Sequence, residues 1–136
     1  MTPSGMFCRQ LAKVPPTDPR MQEGANYLKV TSPFEGKRKE ERGVDYYYLY
    51  YGTLALYQHQ GPIWQTWNDR MKDLLVPMQE KNGDAAGSWP PNNRSHMQAG
   101  GRVVSTAMAT LSLEVYYRLL PIYGFHEAKP AETARP

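Results

Sequence analysis

The side chains that could do chemistry in this chain are few and scattered. Cys8 is the single cysteine, and the histidines stand at positions 59, 96 and 126. Zinc needs Cys, His or Asp ligands at short, repeated separations, and none of His59, His96 and His126 stands at such a spacing from Cys8 or from another histidine. No metal and no cofactor is therefore expected. Glycoside hydrolysis needs two carboxylates facing one cleft, and Asp69, Asp73 and Glu114 offer no such pair. Glu114 and Arg118 stand one helical turn apart, where an ion pair is expected to be structural. No activated nucleophile, phosphate-binding loop or dinucleotide fingerprint is present. What remains are polar residues at the starts of apolar segments: Asp45-Tyr46-Tyr47 in one place, Arg102 and Ser105 in another.

The elements that position these residues read as helices. Thr2 and Pro3 open the first, which runs to about Ala12. Asp18 caps the second, with Pro19 at its first position and RMQEGANYLKV behind. A polar loop over 31–43 leads to DYYYLYYGTLALYQ. Tyrosine favours strands, but this segment lacks alternation and ends in helix formers, so it is expected to be a helix packed on most sides, with Asp45 as its cap. The fourth begins near Gly61-Pro62 and places Trp64, Trp67, Met71, Leu74, Leu75 and Met78 on one face. Gln65, Asn68, Asp69, Lys72 and Asp73 occupy the other. Pro77 predicts a kink there and Asn82-Gly83 a stop. The fifth is expected from Arg102 to about Leu120, ending at Pro121.

With 136 residues the chain fits one domain, here 1–124, followed by a loose tail over 125–136. Hydrophobic residues at 40% place it among globular chains, and ten tyrosines against three phenylalanines predict many half-buried rings. The net charge of +3 is mild, and the run Lys37-Arg38-Lys39-Glu40-Glu41-Arg42 cancels half of its own charge, so no nucleic-acid partner is expected. No apolar run approaches the roughly 20 residues of a transmembrane helix, and one cysteine allows no intrachain disulfide. Met1-Thr2-Pro3-Ser4 is not the start of a signal peptide, which favours a cytoplasmic location if the chain is complete. Asn93-Arg94-Ser95 fits a glycosylation sequon, a triplet common by chance.

The helices alternate between mostly buried and one-sided, the pattern of a two-layer helical array. EGANYL can be laid over RMKDLL, and Ser4-Gly5 over Gly52-Thr53 and then over Thr106-Ala107, at a spacing of about 50 residues. Small residues at those points predict close approach within the inner layer. Between the fourth and fifth helices lie Gln79 and Gly87-Ser88-Trp89. The Gln amide is expected to satisfy backbone groups at helix ends, with the indole covering it.

This stretch resembles the QW motif of the squalene cyclase and protein prenyltransferase superfamily, with a wider gap between Gln79 and Gly87 than that motif has. EGANYL resembles a second copy without the Gln and Trp. Together, GGRVVSTAMATLSLEVYYRLLPIYG and DYYYLYYGTLALYQ are most similar to the C-terminal prenyltransferase or squalene oxidase-type repeats of large bacterial proteins. The resemblance implies an all-α partial α/α toroid of about five helices, or two and a half hairpins. The superfamily's enzymes use an Asp-rich acid or a zinc site, and this chain has neither. What the likeness implies is a non-catalytic repeat domain for protein interaction or self-assembly. Its partner would be the rest of a longer chain or another copy. The alternative is an isoprenoid- or lipid-binding module, or a fragment of such an enzyme. Asp45, Tyr46, Tyr47, Arg102 and Ser105 would then line the mouth of the toroid cavity. Gln79, Gly87 and Trp89 are the structural motif. An α/α-barrel carbohydrate enzyme is a third reading, argued only from tryptophan and tyrosine abundance.

Overall fold

The computed structural model describes residues 2–31, 33–34, 43–91 and 100–123. The basic run at 37–42, the sequon at 93–95, His96, His126 and the tail over 125–136 lie outside them. The described residues form six helices and no strand: α1 (Thr2–Leu11), α2 (Pro19–Val30), α3 (Tyr46–His59), α4 (Gly61–Met78), α5 (Gly101–Leu113) and α6 (Val115–Arg118). None is long and apolar enough to cross a membrane.

Local chemistry sets most of the boundaries. Asp18 accepts from the Arg20 N–H at 2.9 Å and Asp45 from the Tyr48 N–H at 3.0 Å, each relieving a backbone donor that the helix start leaves unpaired. Pro19 and Pro62 sit in first turns, where no N–H is needed. Pro77 falls in the last turn of α4, where it marks the end rather than a kink midway.

Helix α3 is central and packs against every other helix. Cys8 of α1 lies within electrostatic reach of Tyr51, and Gln10, further along α1, donates to the Ala55 carbonyl at 2.8 Å. Tyr46 at the start of α3 is within reach of Arg102 at the start of α5, while Tyr57 near its end donates to the Leu119 carbonyl at 2.7 Å. Starts meet starts and ends meet ends, so α1, α3 and α5 run in one direction as an inner layer. Helices α2 and α4 fold back on α1 and α3 and touch each other. The result is a two-layer helical stack with its core between the layers.

The α3–α4 hairpin carries the most specific packing. Trp67 donates its indole N–H to Thr53 Oγ1 at 2.9 Å, and the Thr53 hydroxyl turns to Met71 Sδ at 3.3 Å. Gly52 makes room for the indole: a Cβ there would lie 2.6 Å from the Trp67 ring. The small residue thus admits an outer-layer tryptophan, where the sequence pattern predicted close approach between inner helices.

Helix α5 departs from expectation twice. It breaks at Glu114, whose φ of −87° and ψ of −1° tighten the turn before α6. Glu114 meets Arg118 through the backbone, Arg118 N–H to Glu114 O at 3.1 Å. The break carries residues 119–122 across the end of α3. There the buried Gln58 amide donates to Leu120 O at 3.3 Å and accepts from the Ile122 N–H at 2.6 Å. Tyr123 reaches further and bonds Val14 O. Second, α5 buries only Ser105, Ala109 and Ser112, not most of its surface, because no helix covers its far side among the described residues.

Candidate functional site

The residues singled out at the starts of α3 and α5 lie at one end of the inner layer, beside the segment that leads out of α4. That segment is a closed loop. Gln79 Nε2 donates to Gly87 O at 2.9 Å, the Gly87 N–H to Glu80 O at 2.7 Å and the Glu80 N–H to Ser88 O at 2.9 Å. Gly87 adopts a φ of +82°, a left-handed conformation that glycine takes without the strain a side chain would bring. Beyond it Trp89 turns inward and is buried. Its indole N–H donates to Leu75 O at 2.7 Å, a carbonyl in the last turn of α4, and its backbone N–H to Thr106 Oγ1 on α5 at 3.1 Å. The helix end is therefore satisfied by the tryptophan, while the glutamine amide closes the loop on itself.

Tyr46 is buried, and its hydroxyl donates to Pro90 O at 3.1 Å. Burial pushes its ionisation up to about 12, against the opposing pull of the Arg102 charge. Arg102 donates to Ser88 Oγ at 3.1 Å and has Glu80 Oε1 at 4.0 Å. Tyr46 and Arg102 thus both clamp the 80–90 loop onto the inner layer. Ser105 is fully buried, with its hydroxyl on Gly101 O at 3.3 Å. Asp45 caps α3.

Tyr47 points elsewhere. Its ring packs on Tyr51 at 4.7 Å, and Tyr51 meets Tyr50 edge-on at 5.2 Å. Burial raises the Tyr51 ionisation first, with the Tyr47 hydroxyl adding to it. Of the five residues expected at the mouth, Tyr46 and Arg102 come together, Ser105 and Asp45 bond helix backbone, and Tyr47 packs in a tyrosine cluster. Sequence reasoning missed Ser88, Glu80 and Thr106 as partners. Ser88 and Thr106 were visible within the quoted motifs, but the pairing depends on how the loop folds back.

Cys8 is exposed on α1, and no group of three or more His, Cys, Asp or Glu side chains gathers among the described residues. The hydrogen bonds at this end of the molecule join backbone to the buried Trp89 indole, the exposed Gln79 amide and the Tyr46 and Thr106 hydroxyls. The class defined by fold and site is thus an all-helical, two-layer array with an indole-locked interhelical loop. No protein-family model, curated protein or solved structure matches the chain.

Proposed function

We propose that the chain is a non-catalytic segment of an α/α-toroid repeat, similar to those of the terpenoid cyclase and prenyltransferase superfamily. It works through the edges of its helical array, by association with another copy or with the rest of a longer chain. One observation carries this reading. The last inner helix and the turn after it leave Val103 79%, Tyr117 82% and Leu120 82% exposed, while the central helix α3 is covered. Apolar side chains left exposed along the last helices of an array mark an interaction surface. Val103, Ala107 and Thr110 recur at helical spacing on α5, and none of them is buried.

The half-buried cluster of Tyr47, Tyr50 and Tyr51 favours the second reading, an isoprenoid- or lipid-binding module. Native mass spectrometry of gently released protein separates the two. Multimers without added mass, reduced to monomers by Val103→Glu with Tyr117→Ser, are the expected result. Added mass matching a lipid, lost in Tyr47→Ala at unchanged helicity, would establish the second reading. A bare monomer would assign the open edge to the rest of a longer chain.

A further inference from the structure

Residues 115–123 lie as an arm across the ends of α1 and α3. Val115 is buried beside Leu54 and Tyr57. Leu119 then turns extended, with a φ of −118° and a ψ of 138°, and its carbonyl accepts from the Tyr57 hydroxyl at 2.7 Å. The buried Gln58 amide takes the next stretch, donating to Leu120 O at 3.3 Å and accepting from the Ile122 N–H at 2.6 Å. Tyr123 ends the arm on Val14 O. An amide that pairs with a C=O and an N–H two residues apart does what a neighbouring strand does, and holds extended backbone whichever chain supplies it.

The hinge of this arm is at Glu114. No glycine or proline interrupts residues 102–120, so the sequence supports one helix through that point. The Tyr117 N–H bonds Glu114 O at 2.9 Å, three residues back. Straightening Glu114 would fuse α5 and α6 over 101–118 with regular four-residue bonds and keep the conformation of the arm itself. It would also lift the arm off Leu54, Tyr57 and Gln58, and leaving that apolar and amide surface uncovered is costly. The segment that fits it is residues 115–123 of this same sequence. We infer that two copies of the chain exchange these arms: with α5 and α6 fused, each lays its residues 115–123 on the Leu54, Tyr57, Gln58 and Val14 of the other. Each contact of the single chain is then made twice about a two-fold axis. Only the lost freedom of two chains opposes such a dimer, and two regular helices favour it. The exchange uses the slot under the arm and not the exposed face of α5, so it goes beyond association through the array edge.

The test refolds an equal mixture of isotope-labelled and unlabelled chain at millimolar concentration and isolates the dimer by size exclusion. Isotope-filtered NOE spectra of that dimer should connect the Gln58 side-chain amide of one chain to Leu120 and Ile122 of the other. Tyr116→Pro should abolish the dimer and leave the helicity of the monomer unchanged. Proline is tolerated in a first turn, as Pro62 is in α4, but inside a fused helix it clashes with the preceding turn. Val103→Glu, on the face used for edge association, should leave the dimer and its interchain NOEs in place. A chain that stays monomeric after refolding, Gln58 contacts confined within each chain, or a Tyr116→Pro dimer would each overturn the inference. Loss of the dimer in Val103→Glu would overturn it in favour of association through the edge.

Discussion

The α3–α4 hairpin and the α5–α6 edge differ in what covers them. In the hairpin, α3 has α1 and α5 beside it and α4 across from it. Its Leu49, Leu54, Ala55, Leu56 and Tyr57 are all buried. Helix α5 occupies the same layer and runs in the same direction, yet among the described residues it packs chiefly on α3 and more lightly on α4 and α6, and it buries two serines and an alanine. Burial in such an array follows a helix's place in the row as much as its own composition. The two regions should accordingly respond very differently to mutation.

The largest effect is expected in the hairpin. Trp67→Ala removes a buried indole, the Thr53 hydrogen bond and the ring that Gly52 was shaped to admit, and should cost roughly 3–5 kcal/mol. Gly52→Ala attacks the same contact from the other side by overpacking, at about 1–3 kcal/mol. Urea unfolding of each variant checks both figures. Because the two residues touch, the double variant should cost less than the sum of the single ones. Additive costs would mean that the hairpin is not the tightly coupled unit described.

Tyr46 links the two regions, and pH tests that link. Its ionisation is raised to about 12 in the folded chain against an ordinary 10.0, so the folded state holds its proton where the unfolded state has lost it. The associated stability is fully present below pH 10.0 and is lost as pH rises through about 12. Burial shifts Tyr51, Tyr57 and Tyr123 in the same direction. Tyr46→Phe should therefore flatten the alkaline decline of the unfolding free energy in part. An unchanged slope would remove Tyr46 from the account.

A smaller effect separates the two named members of the interhelical loop. Trp89→Phe keeps the ring but strands the Leu75 carbonyl in the core, at about 1–3 kcal/mol. Gln79→Ala loses one exposed bond to Gly87 and should cost about 0.5 kcal/mol. A motif-based reading assigns the helix-end bond to the glutamine, so the reverse ranking in thermal unfolding would restore that assignment.

Much of this was legible in the sequence because caps are local. Asp18-Pro19, Asp45 and Gly61-Pro62 mark helix starts through chemistry confined to one turn, and those boundaries agree with the structure to within a residue or two. The end of α5 was not legible. No glycine or proline stands at Glu114, and the break goes with distant bonds from Tyr57 and Gln58 to residues 119–122. The mouth residues followed the same division. Asp45 as a cap could be read from its neighbours, whereas the Arg102 bond to Ser88 requires the loop to fold back first.

The smallest effect belongs to the open edge, and there a null result is informative. Val103 is 79% exposed on α5, so Val103→Ser removes almost no burial from the isolated chain. Its stability at low protein concentration should change by less than about 0.5 kcal/mol. If the edge is covered by a second copy, the same substitution should lower the unfolding temperature only at concentrations where the wild type associates, because assembly stabilises the folded chain by mass action. Thermal unfolding over a hundredfold dilution series distinguishes these cases. A concentration-independent loss of more than about 1 kcal/mol would mean that α5 is already covered within the chain, and the contrast between the hairpin and the edge would then disappear.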